Sequence, residues 1–382
     1  RPSAGYDYRS TNRIVLNSSF TTGNETYYYI VNDDGCAEII GCTTTSTELT
    51  VPTDFEGIAV NKIGDYGFAN CTTLNSITIP ANILNIGKYA FDGCTGLVNA
   101  TIPTTVDTVG DYAFNNCTGL VNVTISEGVE ALGEGAFYNC TSLIEAVVPD
   151  TAKYVGSYAF YNCKSMVTAT IGTMAESIGD YTFYNCEKLE NIVVGYSVKT
   201  IGDYAFYNCS LGRVSIPSAT VSIGNYAFAE NDKMIKATLR KNLLTIGNGA
   251  FINCGVLATI TIPTTVNYIG IEAFENCSSI PKITIPVGVT SINDRAFSGC
   301  SSLADVTING PVTRIGISTF YNNAFESIVL PETLETLGDS AFRKCEGLKE
   351  ITLPNAVTSI GDAAFLNCSA LNRVSLPDSV SS

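Results

Sequence analysis

A β-rich solenoid of about fourteen stacked units behind an N-terminal β-hairpin is the architecture this chain predicts, on three observations. A Phe returns at 68, 91, 114, 137, 160, 183, 206, 228, 251, 274, 297, 320, 342 and 365, a spacing of 23 residues broken by two steps of 22. Around it the same segment recurs, as in Ile201-Gly202-Asp203-Tyr204-Ala205-Phe206-Tyr207-Asn208-Cys209. Ahead of it runs a short alternating stretch such as Ser76-Ile77-Thr78-Ile79-Pro80, whose period of two is that of a half-buried strand.

A fixed period in the range of about 20–29 residues with aliphatic anchors is the mark of a leucine-rich-repeat solenoid, in which each unit hides its apolar face against the next. Residues 1–50 have a different texture. An alternating segment Tyr27–Val31, a turn at Asp33-Asp34-Gly35 and a second segment through Ile39 and Ile40 predict a β-hairpin. It is expected to cap the first rung, which would otherwise expose apolar core and strand edge. The array then occupies 51–382, and no C-terminal cap follows Val374-Ser375-Leu376-Pro377. Either the repeats continue in a longer protein or this end stacks on another molecule. The opening Arg1-Pro2-Ser3 is expected to belong to a mature or trimmed form.

Within a unit, Ile77 and Ile79 point inward and the strand stops at Pro80, which has no N–H for the ladder. A second short strand leads to Ile86, aliphatic in all fourteen units. Gly follows it in thirteen, with Asn293 the exception, so this corner is expected to have left-handed geometry. Ala precedes the Phe in eleven units. Small-then-large at every level predicts a 3₁₀ or single helical turn carrying a spine of stacked Phe rings.

The strands, the Ile-Gly-Asp-Tyr-Ala-Phe turn and the Asn-Cys-Thr-x-Leu return together resemble the BspA-like, or Treponema pallidum-type, branch of leucine-rich-repeat proteins. The resemblance runs from about residue 27 to the end. It implies a large surface or secreted protein and an adhesin-like role toward a host or matrix protein, a glycan or another cell, while fold alone fixes no function. It carries over no binding residues.

Composition narrows the classes further. Asp and Glu outnumber Lys and Arg by 36 to 21, and the charge of −15 disfavours nucleic acid and anionic lipid. No apolar run approaches the ~18 residues of a membrane span, so no direct membrane insertion is expected. Histidine is absent, which removes the usual general base and the commonest metal ligand. An enzyme is therefore not expected, nor a cofactor or a metal.

Twelve of the fourteen Cys stand three residues after a repeat Phe, from Cys71 to Cys368, and Cys42 holds the equivalent place one level earlier. Metal sites want clustered ligands, and stacked rungs present parallel rather than convergent side chains, so a ladder of buried thiols is expected over disulfides or a metal. Cys36 and Cys42, about 20 Å apart on an extended strand, can bridge only if Gly41 breaks it. Of ten Asn-x-Ser/Thr sequons, six fall in the repeat's own Asn-Cys turn and so reflect the fold; Asn17 and Asn24, in the cap, are the candidate glycosylation sites.

Two surface signals remain. Tyr recurs two before and one after the Phe, giving stripes densest at Tyr138, Tyr158, Tyr161, Tyr181, Tyr184, Tyr204 and Tyr207. These are the candidate binding surface, since Tyr offers large contact area at little entropic cost; alternatively the rings only shield the Phe spine. The outward strand midpoint is mostly Thr, but the position two earlier is mixed (Glu145, Arg213, Lys236, Lys282, Asp305), which argues against a flat ice-binding hydroxyl array. The expected function is a non-enzymatic extracellular or cell-surface module binding protein or glycan across its repeat surface. The alternative is a structural protein assembling with itself, head-to-tail or laterally, into filaments or layers.

Overall fold

The computed structural model describes residues 18–381, and strands and turns are the only regular structure among them. They form two compact units, divided between Met166 and Val167.

The first unit opens on β1 (Ser18–Thr22), β2 (Glu25–Val31) and β3 (Ala37–Thr43), an antiparallel meander. Its aromatic face packs together: the Phe55 ring lies 5.1 Å from Phe20, 5.5 Å from Tyr27 and 4.6 Å from Tyr29. Tyr27, 1% exposed, stands edge-on over Phe68, the place an earlier Phe would fill. Next, β3 pairs in parallel with Ile58–Ile63, and a ladder of two-residue strands continues through Asn85–Ile86, Thr108–Val109, Ala131–Leu132 and Tyr154–Val155. A second parallel ladder joins Glu48–Thr50, Ser76–Thr78, Asn99–Ile102 and Asn122–Ile125.

The second unit repeats the plan. One ladder runs from Ser177–Ile178 through Thr200–Ile201, Ser222–Ile223 and Thr245–Ile246 to Tyr268–Ile269. Another links Ser291–Ile292, Arg314–Ile315, Thr336–Leu337 and Ser359–Ile360. The longer strands pair likewise, as Arg213–Ser215 with Lys236–Thr238 and Lys282–Ile285 with Asp305–Ile308.

Between the second strand and the return, the chain takes a form the sequence did not suggest. The turn is neither 3₁₀ nor helical, because alternate N–H groups leave it for the next level. Those of Tyr89, Phe91 and Gly93 donate to Asp111, Ala113 and Asn115 carbonyls at 3.0, 2.7 and 2.9 Å, while those of Asp92 and Cys94 close back on Tyr89 and Phe91 at 3.0 and 3.2 Å. A helix directs every donor inward. This segment alternates instead, as a strand does.

The corner glycine also differs from expectation. Left-handed φ falls on the Tyr two before the Phe, such as Tyr89 (53°) and Tyr204 (56°), and on the Asn two after it, such as Asn116 (56°) and Asn208 (54°), not on the corner. What the corner requires is the absence of a Cβ. On Gly87 that atom would lie 2.6 Å from both Gly64 C and Asp65 N, and on Gly110 2.5 Å from Gly87 C. Asp after the Gly has a part of its own: the Oδ1 of Asp65, Asp203 and Asp339 accepts the N–H of Lys88, Asn225 and Asp362 at 2.8, 2.7 and 2.8 Å. Asn293 fits the corner by donating its Nδ2 to the Ile269 carbonyl at 2.6 Å.

Inside each unit the Phe rings form the spine. Centroids from Phe68 to Phe160 are 4.8–5.4 Å apart, and from Phe183 to Phe365 5.2–5.9 Å, with planes near parallel. The thiols flank them. Cys94 donates to the Phe68 carbonyl at 3.1 Å, Cys209 to Phe183 at 3.2 Å and Cys345 to Phe320 at 3.1 Å. The repeat cysteines are buried thiols, and Cys36 and Cys42, at opposite ends of β3, are not bridged.

The two shortened units show what the Cys position does. Between Cys209 and Leu211 one residue is missing relative to Cys186–Leu189, and the next turn carries Asn231 instead of Cys. Asn231 Nδ2 keeps the bond to the Phe206 carbonyl at 2.9 Å, and its Oδ1 accepts the Leu211 N–H at 3.2 Å. In the other, Asn323 Nδ2 donates to Phe297 at 3.0 Å, and Phe325 fills the Leu position edge-on to Phe320.

Two outcomes follow for stability. Phe206→Ala removes a ring stacked on both sides and should lower the unfolding free energy by about 3–5 kcal/mol in urea titration; a loss below about 1 kcal/mol would take the ring out of the core. Burial pushes Cys254 and Cys345 up to about 12 from an ordinary 9.0. Since the folded state holds the neutral thiols, their contribution is complete below about pH 9 and is lost as pH rises toward 12, at about 1.4 kcal/mol per pH unit for each. Denaturation at pH 7.5 and 10.5 should show that fall, and equal stability at both would place these thiols in water.

Candidate functional site

The tyrosines of each turn are positioned by the backbone that carries the spine. The one two residues before the Phe sits at positive φ, where a bulky side chain costs about 1–2 kcal/mol. Gly135 and Gly249 take the same conformation without that cost, with φ of 57° at each. Retaining Tyr at a strained position needs a compensating contact, and ring stacking provides one.

In the first unit, Tyr66, Tyr89 and Tyr112 stack at 5.0 and 5.3 Å. Gly135 interrupts the row, and the Tyr138 ring moves in to lie 5.9 Å from Tyr112. The structure brings Tyr138, Tyr158 and Tyr161 together: Tyr138 and Tyr161 are parallel at 4.6 Å, and Tyr158 is tilted against both at 6.4 and 5.7 Å. In the second unit Tyr181, Tyr184, Tyr204 and Tyr207 form the same two-column sheet of rings. Tyr181 stacks on Tyr204 and Tyr184 on Tyr207, each at 4.8 Å, and Tyr204 continues to Tyr226 at 5.0 Å. Of the seven predicted residues, Tyr138, Tyr158 and Tyr161 lie in the first unit and Tyr181, Tyr184, Tyr204 and Tyr207 in the second. All are half-buried.

Acidic groups border these rings. The Tyr112 hydroxyl donates to Glu134 Oε1 at 3.0 Å, and Tyr226 to Glu272 Oε2 at 3.3 Å. Burial raises the Tyr161, Tyr207 and Tyr226 hydroxyls above their ordinary value, with neighbouring Tyr and Glu groups adding to it. They stay neutral hydrogen-bond donors throughout the physiological range.

The sequons separate by role. Asn139 Nδ2 donates to Asn116 Oδ1 at 3.0 Å and its own Oδ1 accepts from Asn162 at 2.8 Å; Asn276 donates to Asn253 at 2.8 Å. In the Asn-Cys turn the amide is thus part of an inter-turn ladder. Asn24 is exposed in the turn between β1 and β2, whereas Asn17 lies outside the described residues.

Sequence periodicity missed a third feature, because it is not periodic. On the second unit a shallow depression of about 440 Å³ is lined by Val193, Tyr196, Ser215, Pro217, Ser218 and Arg240, among others. Tyr196 is 70% exposed and Val193 61%. The signal was visible only as departure from pattern: Gly195-Tyr196 and Arg240 stand where most units have Pro and a small polar residue.

A family model, the BspA type leucine-rich repeat region, matches residues 44–167, 153–281 and 267–382. Among solved structures the chain is similar to a leucine-rich repeat protein from Bacteroides ovatus, at 25% identity over 94% of this chain and 95% of that one, with a TM-score of 0.70. It is also similar to a leucine-rich cell surface protein from Faecalibacterium prausnitzii, at 26% identity over 94% of each, with a TM-score of 0.53. The leucine-rich repeat protein of T. pallidum matches at 24% identity over 48% of this chain and 86% of that one, with a TM-score of 0.46. No curated protein matches.

Proposed function

The chain belongs to the BspA-type leucine-rich-repeat family, and from that premise we propose that it is a non-enzymatic binding module, working at the cell surface or outside the cell and adhering to protein or glycan through its repeat surface. The observation that carries the reading is the clustered tyrosine rings. Seven half-buried rings arranged in two-column stacks present rigid aromatic edges with a hydroxyl at each tip, the chemistry of an interface anchor. Three of them, at 158, 181 and 204, with Tyr226 beyond, belong to a row held at strained positive φ, which supports a use beyond packing.

The surface location is supported by the family and by the description of the Faecalibacterium relative. Among the described residues no helix is long and apolar enough to cross a membrane. The partner is a host or matrix protein or a glycan, and the acidic net charge makes nucleic acid a poor one.

Binding to immobilised matrix glycoproteins, measured by surface plasmon resonance, tests this. Tyr161→Ser with Tyr184→Ser should weaken binding about tenfold or more while leaving the circular dichroism spectrum and melting temperature close to the parent. Unchanged affinity in a folded double variant would dismiss the rings as an interface. Concentration-dependent assembly of the protein alone, with no partner bound, would favour a self-assembling structural role.

A further inference from the structure

The depression around Tyr196 lies beside a stretch of the sequence where the charge balance reverses. Residues 188–241 carry seven Lys or Arg against four Asp or Glu, in a chain that has 21 against 36 overall. Three of those cations share one strand face. Arg213 and Lys236 are directly opposed partners on adjacent strands, with Val214 and Ala237 between them and their strand neighbours pointing into the core. Strand geometry puts Ser215 and Thr238 on that same outward face, about 6.5 Å further along. Arg240 follows at the rim, its Nη2 3.5 Å from Ser215 Oγ.

None of the three cations takes part in an ion pair among the described residues, although carboxylates are abundant elsewhere and other strand-face cations have them. Lys62 and Arg314, for contrast, pair with Glu38 at 3.2 Å and with Asp294 at 2.6 Å. One acid, Glu190, lines the adjoining hollow with Asn191 and Arg213. Two exposed cations and a half-buried one, next to an exposed Tyr ring, an exposed Val and the hydroxyls of Ser215, Ser218 and Thr238, make a specific combination.

Each part of it matches one part of a carboxylated sugar. A guanidinium binds a carboxylate in bidentate fashion, and an ammonium beside it adds a point charge. The face of an aromatic ring packs on the C–H face of a pyranose, and short hydroxyl side chains exchange hydrogen bonds with ring hydroxyls. The shallow volume suits one or two sugar rings. The charge of the remaining surface is negative and repels a long polyanion. We propose that this face of the second unit, formed by Arg213, Lys236, Arg240 and Tyr196, binds a terminal or short carboxylated oligosaccharide, such as one ending in a uronic or sialic acid. The assignment rests on the binding-module reading above and names one ligand class and one site for it.

The test uses the whole chain and isothermal titration against three probes: a sialic acid-terminated trisaccharide, its neutral counterpart lacking that residue, and a hexaglutamate peptide. The parent protein should bind the acidic trisaccharide, weaken several-fold between 50 and 300 mM salt, and bind the neutral sugar at least tenfold more weakly; a glucuronic acid-terminated disaccharide serves as the second acidic probe. Arg213→Gln with Lys236→Gln should reduce acidic-sugar affinity at least tenfold. Tyr196→Ser should reduce affinity for the acidic sugar in parallel, through the ring contact, with an unchanged salt slope. Failure of both acidic sugars to bind, equal binding of the neutral sugar, or unaltered binding by folded variants would overturn the proposal. So would tighter binding of hexaglutamate, which would make the face a peptide site. Tyrosine-dependent binding of matrix glycoproteins that survives the Arg213 and Lys236 substitutions leaves the module reading standing while this site falls.

Discussion

Each turn of this protein has to approach the next at the separation a hydrogen-bonded backbone ladder permits, about 4.8 Å, and that closeness governs what each position accepts. At the corner the approach is closest. Carbon and nitrogen atoms of successive corners lie where a Cβ would be, so Gly87, Gly110, Gly202 and Gly224 are required for space. Once the corners are set, the ladders, the Phe spine and the thiol row come into register by repetition. Phe rings separated by slightly more than the backbone rise must stack with an offset, the arrangement their quadrupoles favour.

The same closeness explains the polar ladders. A turn whose alternate N–H groups reach the next level leaves specific donors and carbonyls at its bends. Asp after the corner accepts one donor, the thiol or Asn after the Phe supplies a donor to one carbonyl, and Asn amides chain together at the return. Burying these groups without partners would cost about 1–3 kcal/mol each. Where a residue is deleted, as between Cys209 and Leu211, the partner changes with it: Asn231 offers both a donor and an acceptor where a thiol has only a weak donor.

Much of this was legible in the chain itself. The period, the inward Ile and Phe, the buried thiols and the tyrosine rows all depend on one residue type returning at one spacing. Backbone conformation was harder to read, because glycine serves two different needs. Thirteen glycines after an aliphatic suggested positive φ, yet that conformation belongs to Tyr204 and Asn208; Asn, which takes it more readily than most residues, carried the signal at the return, and the Tyr row showed it only through Gly135 and Gly249. The position after the corner has no single identity: Asn225 and Asn248 fill the acceptor role of Asp203, while Lys88 and Ile271 stand at the same place. The Tyr196 depression and the unpaired Arg213 and Lys236 are departures from the repeat, and a reading built on recurrence passes over them.

A repeat array presents two kinds of surface: what recurs is shaped first by stacking, and what departs from recurrence is left free for selection by a partner. The tyrosine clusters belong to the first kind and the basic face to the second, and both presuppose that adjacent turns are held at a fixed close distance. The direct measurement of that premise is the equilibrium unfolding of Gly202→Ala, where the added methyl would stand 2.6 Å from Asp180 N and Gly179 C. Forced separation of two turns should cost about 1–3 kcal/mol and lower the urea midpoint. A midpoint equal to or above that of the parent would contradict it.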